Sequence, residues 1–221
     1  MIFSWFKYKN YPFFWKEYSK KFKQKLPKSI ENTRFVIFDT ETTGLDISTD
    51  RILSIGAIGI FKNNIDVADS FEIYLRQDQF KVESVEIHGI LKEGKLTKMS
   101  EAAAIENFIT YIGNAVLVAH HTAFDIEMVN AALKRLELPK LKNKTIDTGI
   151  LYKKLAGKKD AHFNLDVLSD EFSIPKHDRH TAAGDAFITA LLFLKIISKL
   201  KKERNLHYSD LFRVSGKEGL M

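Results

Sequence analysis

The sequence predicts a mixed α/β fold in which helices flank a sheet of antiparallel and parallel strands. Three strand-like segments follow one another closely between residues 34 and 75, as in an antiparallel meander. Beyond residue 100, helical patterns alternate with a short apolar strand, as in sheets covered by helices. A length of 221 residues, with 45% hydrophobic and 28% charged residues, suits one medium-sized domain with extensions. Disordered, collagen-like and disulfide-scaffold classes are excluded.

The individual elements follow from apolar spacing and from the residues that start and stop them. The predicted strands, which are short and apolar or alternating, cover residues 34–39, 51–61, 70–75 and 115–119. The predicted helices, which carry apolar residues at helical spacing, cover residues 12–26, 100–112, 124–138, 164–172 and 181–200. Ser100 and Asn164 are predicted N-caps. Pro27 and Pro139 end the helices that precede them.

The charge is unevenly distributed along the chain. Residues 1–30 hold eight lysines and one acid, residues 195–221 carry a net +4, and the segment between them carries a net −5. An acidic body suits a protein that collects cations, and basic ends suit attraction of a polyanion or a partner protein. The alternative is that the lysines form solvated helix faces that favour solubility.

The N-terminal segment combines its lysines with aromatic residues. Residues 1–30 hold ten of the 26 aromatic residues of the chain. From Pro12 to Leu26 several of them fall on one side of a predicted helix. We favour a helix packed on its own domain with the lysines outward. Docking on a partner protein or a membrane surface, and an arm that binds nucleic acid, are the alternatives.

The composition also bears on location. The chain has no cysteine, which excludes disulfides, thiolate zinc sites and cysteine nucleophiles and fits a reducing compartment. Its longest apolar runs are far shorter than the roughly 20 residues that span a membrane. Lys7 interrupts the N-terminal apolar segment before a secretory signal can form. We therefore expect a cytoplasmic protein without a membrane span.

The first candidate site is a pair of carboxylates. Asp39 and Glu41 are two residues apart on the first predicted strand, so both side chains point to the same face. Neighbouring carboxylates repel each other and are costly to desolvate, which favours a cation between them. Hard oxygen ligands favour Mg²⁺ or Mn²⁺. The plainer interpretation is a strand end whose acids face water.

Asp125 and Asp185 add two more carboxylates. Asp125 lies at a strand-to-helix junction, where it can sit beside a metal or, more commonly, cap its own helix. His180 precedes Asp185 by five residues, and five helical steps separate two side chains by about 140°. Both can therefore reach one site only if His180 lies on the loop before the helix. Four carboxylates can hold two divalent cations roughly 4 Å apart, as enzymes of phosphoryl displacement do.

Three segments, in this order, resemble the motifs of the DnaQ-like exonucleases of the DEDDh group, which includes the DNA polymerase III epsilon proofreading subunit and RNase T. They are residues 38–44 (FDTETTG), 120–125 (HHTAFD) and 180–186 (HTAAGDA). Lesser matches are residues 85–90 (VEIHGI), which resemble the loop beside the bound nucleotide in that family, 145–148 (TIDT) and 165–168 (LDVL).

The resemblance covers about residues 33–200. It implies an RNase H-like fold with a mixed five-stranded sheet flanked by helices. The chain then divides into a basic aromatic extension (1–32), an exonuclease domain (33–200) and a basic tail (201–221). One departure concerns the second motif, where His120-His121-Thr122 stands in place of the common His-Asn-Ala. This departure bears on substrate preference and leaves the metal ligands intact.

The resemblance also implies an activity, which is metal-dependent removal of nucleoside 5′-monophosphates from the 3′ end of DNA. Two Mg²⁺ or Mn²⁺ ions would be held by four catalytic carboxylates, Asp39, Glu41, Asp125 and Asp185. His180 would be the general base that takes a proton from the attacking water. The residues implied to contact the terminal nucleotide are Thr42, Leu45, His88 and Phe124.

Two other functions stay open at this point. One is an exoribonuclease that trims RNA 3′ ends, and the other is a non-catalytic subunit that binds nucleic acid beside a polymerase. The intact set of four carboxylates and His180 favours the enzyme, since a pure binding protein has no need of them. The expected partners are single-stranded or frayed 3′ ends, DNA ahead of RNA, and a polymerase.

Overall fold

Six strands form one mixed sheet in the computed structural model, which describes residues 10–25, 27–79, 81–92, 96–157, 163–203 and 206–212. The strands are β1 (Phe35–Thr42), β2 (Ile52–Phe61), β3 (Asn64–Leu75), β4 (Lys98–Met99), β5 (Val116–Ala119) and β6 (Thr145–Asp147). Their order across the sheet is β4-β3-β2-β1-β5-β6.

The predicted meander is confirmed, because β1 pairs antiparallel with β2 and β2 pairs antiparallel with β3. β5 and β6 extend the sheet in parallel on the other side of β1, so the sheet is mixed as predicted. It has six strands rather than five. The sequence analysis missed the two edge strands β4 and β6, whose two and three residues are too few to show an apolar alternation.

Seven α-helices and one short 3₁₀ helix cover this sheet in the described part of the chain. They are α1 (Phe13–Lys21), α2 (Val82–His88), α3 (Glu101–Ile112), α4 (Thr122–Arg135), α5 (Thr148–Ala156), α6 (Leu165–Glu171), α7 (Ala182–Glu203) and a 3₁₀ helix (Tyr208–Phe212). None of them has both the length and the apolar character needed to cross a membrane.

The predicted caps are confirmed, because Ser100 accepts a hydrogen bond from the Ala103 N–H and Asn164 accepts one from the Val167 N–H. The expectation of a loop at residues 85–90 is wrong for its first part, since α2 continues to His88. Gly89 then ends the helix with a φ of 68°, a left-handed conformation that glycine adopts without strain.

The alternation of side chains along β1 divides the core into two layers. Val36 and Phe38 face the layer that contains α1, α3 and α4, while Phe35 and Ile37 face the layer that contains α5, α6 and α7. The ring of Phe35 packs against Phe193 of α7, with 5.1 Å between ring centroids. Because this alternation continues to the end of β1, it decides which layer each functional side chain meets.

Helix α1 belongs to the first layer, as we favoured. Trp15 and Tyr18 are each 2% exposed, and the Tyr18 hydroxyl donates to Asn143 at 2.6 Å and accepts from the Lys142 N–H at 2.8 Å. The helix is shorter than the predicted 12–26. Residues 1–9 and 213–221, which hold part of the predicted extension and tail, lie outside the described residues. The domain division remains a prediction.

Candidate active site

Three of the predicted carboxylates meet beside the end of β1. Asp39, Glu41 and Asp185 each offer one oxygen, and these three oxygens all lie within 4.8 Å of one another. Asp39 and Glu41 continue the β1 face that carries Phe35 and Ile37, and therefore face the layer of α7. Asp185 lies in the first turn of α7. We call these three residues the acidic cluster.

The acidic cluster forms because the start of α7 approaches the sheet closely. Gly56 on β2 pairs with Asp39 in the antiparallel register. A Cβ at Gly56 would lie 2.2 Å from the carbonyl carbon of Ala182 and 2.2 Å from the nitrogen of Ala183. No larger residue fits without displacing the helix, so Gly56 sets the distance between α7 and β1. The sequence analysis missed this residue, whose only signal is a glycine inside a buried strand.

Asp125 approaches from the opposite layer, on the first turn of α4, and is held by Thr40 of β1. β1 pairs with β5 only as far as Ile37. Beyond that point the Thr40 N–H donates to Asp125 Oδ1 at 3.0 Å, and the Thr40 hydroxyl donates to the same oxygen at 2.7 Å. The common use of such an aspartate, as a cap of its own helix, is therefore not what the structure shows. Asp125 lies beside the acidic cluster, close enough for its charge to raise the pKa of Asp39.

All four carboxylates resist ionisation. Burial raises the pKa of Asp39 well above its usual range, and the charges of Asp125, Asp185 and Glu41 raise it further. Burial and the charge of Asp185 raise the pKa of Glu41 to about 7. Burial raises the pKa of Asp125 to about 7 against the opposing hydrogen bonds from Thr40.

Burial also raises the pKa of Asp185, although the charge of Arg179 opposes it. A group of partly or fully buried acids with raised pKa values favours the binding of cations.

The donors fit a hard divalent cation. Every side chain of the acidic cluster offers carboxylate oxygen, the ligand that Mg²⁺ and Mn²⁺ prefer. In addition, Asp185 Oδ1 is buried and has no hydrogen-bond partner among the described residues. A buried carboxylate oxygen without a donor is unfavourable unless something binds it.

His180 lies on the loop before α7, which is the placement it needs if it is to share a site with Asp185. Its φ of 67° lies in the left-handed region, and its side chain is exposed. Its Nδ1 lies 3.4 Å from Nη1 of Arg179. The same Nη1 is 2.5 Å from Asp185 Oδ2, so one guanidinium connects His180 with the acidic cluster. The sequence analysis did not single out Arg179.

Thr42 and Leu45, two of the residues implied to contact a nucleotide, lie at the end of β1 and on the turn that follows it. The Thr42 hydroxyl donates to the Gly44 carbonyl at 2.8 Å, which shapes the turn, and Leu45 is 83% exposed on that turn. Leu45 lines a groove of about 1110 Å³ whose other wall is α4, the helix that carries Phe124. His88 is buried on α2.

One hydrogen bond to the ring of His88 fixes its tautomer. Its Nδ1 accepts from the Ile90 N–H at 3.0 Å, which places the proton of the neutral ring on Nε2. Burial lowers the pKa of His88, so the neutral form is favoured. The Nε2–H is buried and has no hydrogen-bond partner among the described residues. Within the described part of the chain, this donor is therefore unused.

The unusual second motif is fixed by a different set of contacts. His120 Nδ1 lies 2.8 Å from the Thr148 hydroxyl and Nε2 lies 2.8 Å from the Phe163 carbonyl. Burial lowers the pKa of His120 to about 4, so its ring is neutral. His121 takes the place where the family commonly has asparagine, and its φ of 62° is one that asparagine adopts readily. The Thr122 N–H donates to Asp147, which steadies the start of α4.

Known proteins resemble this chain in sequence and in fold. A family model described as "Exonuclease" (RNase_T) matches residues 36–193. DNA polymerase III PolC-type from Bacillus subtilis is 32% identical over 183 residues, which are 82% of this chain and 12% of that protein. A DNA polymerase III subunit epsilon-like protein from Rhodobacter capsulatus is 33% identical over 179 residues, which are 78% of this chain and 25% of that protein. The chain thus spans a quarter or less of these two relatives.

Solved structures agree on the fold. E. coli exonuclease I in complex with a dT13 oligonucleotide superposes with a TM-score of 0.67 at 17% identity, over 78% of this chain and 42% of that chain. Exonuclease X in complex with 5′ overhanging duplex DNA superposes with a TM-score of 0.63 at 21% identity, over 82% of this chain and 99% of that chain. The mixed sheet flanked by helices is therefore the RNase H-like fold of exonucleases.

Proposed function

This chain belongs to the DnaQ-like exonuclease family, and we propose that it removes nucleoside 5′-monophosphates stepwise from the 3′ end of single-stranded or frayed DNA. The observation that carries the proposal is the convergence of Asp39, Glu41 and Asp185 to within 4.8 Å. The cytoplasm stays the proposed location.

Two Mg²⁺ or Mn²⁺ ions are the proposed cofactors. Asp39, Glu41 and Asp185 would hold one ion, and Asp39 with Asp125 would hold the other. Bound there, the ions would lower the pKa of the attacking water and stabilise charge on the departing 3′-oxygen. The raised pKa values of the four carboxylates support this assignment, because bound cations remove the repulsion that raises them.

His180 is the proposed general base. It is the one predicted catalytic side chain that is both exposed and on a loop, so it has access to water and to an incoming phosphodiester. Its imidazole takes a proton from the attacking water and returns it to solvent.

The terminal nucleotide is proposed to lie between the β1–β2 turn and α4. Leu45 and Phe124 would pack on the base or sugar, a contact that tolerates any sequence. The Thr42 backbone would contact the 3′-hydroxyl, and the buried His88 Nε2–H would donate to a nucleotide oxygen. The preference for DNA rests on the names of the neighbours, which are complexes with an oligodeoxynucleotide and with duplex DNA. A polymerase partner is proposed from the names of the relatives.

The direct test compares the full chain with Asp39→Asn on three substrates of one sequence: single-stranded DNA, single-stranded RNA and a duplex with a mismatched 3′ end. With a 5′ label and Mg²⁺ or Mn²⁺, the wild type should give a ladder that shortens from the 3′ end and releases 5′-monophosphates. Asp39→Asn should give none. Glu106→Gln is the matched control, because Glu106 is an exposed acid on α3, in the layer opposite the acidic cluster.

Three results would contradict the proposal. Internal cuts would indicate an endonuclease, and shortening from the 5′ end would reverse the direction. Faster digestion of RNA than of DNA would favour the trimming exoribonuclease instead. Tight DNA binding without hydrolysis by the wild type, under conditions where Mn²⁺ is bound, would favour the non-catalytic subunit.

A further inference from the structure

A single arginine side chain joins the acidic cluster to a neighbouring helix. Arg179 Nη1 lies 2.5 Å from Asp185 Oδ2, and its Nε and Nη2 lie 2.9 and 3.1 Å from the two oxygens of Asp166 on α6. The contact with Asp166 is a bidentate ion pair, the geometry that gives arginine its specificity for carboxylates. Arg179 therefore has one fixed anchor and one contact inside the cluster.

The guanidinium is partly desolvated, which strengthens its effect on its neighbours. The side chain of Arg179 is 21% exposed and that of Asp185 is 7% exposed. The positive charge of Arg179 opposes the rise in pKa of Asp39, Glu41 and Asp185 alike. One unit of positive charge faces the three carboxylates of the acidic cluster, so much of their repulsion stays uncompensated.

The same side chain fixes the position of the loop that carries His180. Arg179 directly precedes His180, whose left-handed φ would be unfavourable on a loop without anchors. The Thr181 hydroxyl accepts from the Gly184 N–H and closes the loop onto α7. On the other side the anchor is the pairing of Arg179 with Asp166. Loss of this pairing would release His180 from the edge of the cluster.

We propose, on the basis of the proposed function, that Arg179 is a positioning residue and the resident counter-ion of the acidic cluster. It balances Asp185 before divalent cations bind and gives up this contact when they bind. It keeps its contact with Asp166 throughout, and so holds His180 beside the site.

Two consequences distinguish this role from simple fold stabilisation. A cation that competes with Mn²⁺ for the same carboxylates weakens Mn²⁺ binding, so its removal should strengthen binding, whereas loss of a merely structural contact should weaken it or leave it unchanged. The anchor acts on His180, so its loss should lower turnover even when Mn²⁺ is saturating. The two readouts should therefore move in opposite directions.

The experiment uses the full chain and measures Mn²⁺ affinity from the electron paramagnetic resonance signal of free Mn²⁺, alongside kcat at saturating Mn²⁺. Arg179→Met should bind Mn²⁺ about tenfold more tightly, since a unit charge within a few ångströms of a cation is worth at least this at the effective dielectric of a protein. Its kcat should fall about tenfold, as expected for a loosened catalytic group.

Arg179→Lys keeps the charge but cannot form the bidentate pair with Asp166. Its Mn²⁺ affinity should therefore stay near that of the wild type while its kcat falls. This variant also preserves the test if Arg179→Met does not fold. Lys176→Met is the matched control, because Lys176 lies on the same loop and pairs with the exposed Asp170 at 2.7 Å. It should change neither quantity.

Weaker or unchanged Mn²⁺ binding by Arg179→Met would overturn the counter-ion role, and an unchanged kcat in both Arg179 variants would overturn the anchoring role. Either result in a wild type that binds Mn²⁺ and releases mononucleotides leaves the proposed function intact. A wild type that does neither would overturn both proposals.

Discussion

Two aspartates on either side of the β1–β2 turn have pKa values shifted in opposite directions. Asp39 lies near the end of β1, and Asp50 lies just before β2 and is 1% exposed. Burial raises the pKa of both. For Asp50, hydrogen bonds from Lys81 Nζ, the Asp46 N–H and the Thr43 hydroxyl outweigh burial and lower the pKa below its usual range. For Asp39, the neighbours are carboxylates and the pKa stays well above its usual range.

The difference separates a carboxylate that stabilises the fold from one that is arranged for a ligand. Asp50 has its donors within the protein: Thr43 at 2.8 Å, the Asp46 N–H at 2.9 Å and Lys81 at 2.5 Å. We call these four residues the Asp50 network. It holds the turn that presents Leu45. The acidic cluster is the reverse case, because Arg179 offsets only part of its repulsion and an added cation would relieve the rest. Burial raises the pKa of both carboxylates, so it is the donors around Asp50 that reverse the direction of its shift.

The largest expected effect is that of Asp39→Asn. Because this change removes a proposed cation ligand, exonuclease activity should fall by about a thousandfold or more. The metal-free protein should at the same time gain roughly 1–2 kcal/mol of unfolding free energy near pH 8, since one of four repelling charges is lost. Urea unfolding in EDTA measures the gain. A loss of both activity and stability would mean that Asp39, like Asp50, stabilises the fold and is not a cation ligand.

The converse change is Asp50→Asn, which should destabilise the protein by about 2–3 kcal/mol because it breaks the buried network and leaves Lys81 without its partner. Mn²⁺ binding to the acidic cluster should persist in the folded fraction. The control is Glu31→Gln, which breaks the surface pair between Glu31 and Lys201. It should change stability by less than about 1 kcal/mol. Loss of Mn²⁺ binding with unchanged stability would reverse the assignment.

The sequence predicts the positions of the site residues unequally well. Strand alternation alone places Asp39 and Glu41 on one face, and the predicted start of the last helix at residue 181 leaves His180 on the loop before it. Both placements agree with the structure because they depend on local geometry. Asp125 and Arg179 were less predictable. Asp125 contacts Thr40 and Arg179 contacts Asp166, and each contact joins two separate elements of the fold. No local sequence pattern predicts such contacts.

The fold shows the same division. Long periodic elements such as α3 and α7 are found close to their predicted bounds. The helices α2 and α5 were missed. α2 has only seven residues, and α5 starts at Thr148, directly after Asp147, whose role as the N-cap is visible only in its acceptance of a hydrogen bond from the Ile150 N–H. Short elements of this kind depend on tertiary contacts more than on their own pattern.

A change of pH should separate the two regions without any mutation. Glu41 and Asp125 have pKa values of about 7 in the folded protein, well above those of an unfolded chain. The folded state therefore holds more protons between about pH 4 and pH 7, and its stability falls as the pH rises through this window. Groups with lowered pKa values, such as Asp50, act in the opposite sense at lower pH.

Thermal unfolding in EDTA should accordingly show a melting temperature that falls by several degrees between about pH 5 and pH 8, as a change of about 1–2 kcal/mol implies for a domain of this size. Saturating Mn²⁺ should remove most of the fall. Asp39→Asn should show a shallower fall than the wild type, since fewer repelling groups ionise. A melting temperature that rises across this window would contradict the raised pKa values on which the comparison rests.

The smallest expected effect concerns Asp125. It is intermediate between Asp39 and Asp50, because it accepts hydrogen bonds from Thr40, as Asp50 does from its neighbours, and yet has a raised pKa, as Asp39 does. Thr40→Val removes the hydroxyl that donates to Asp125 at 2.7 Å and keeps the Thr40 N–H. Loss of one hydrogen bond to a carboxylate should raise its pKa by about one unit, so the acid limb of the activity profile should move about one unit to higher pH. Thr43→Val is the matched control, because the Thr43 hydroxyl donates to Asp50 instead. It should lower stability and leave the acid limb in place. A shift of the limb in Thr43→Val, or none in Thr40→Val, would mean that activity does not follow the ionisation of Asp125.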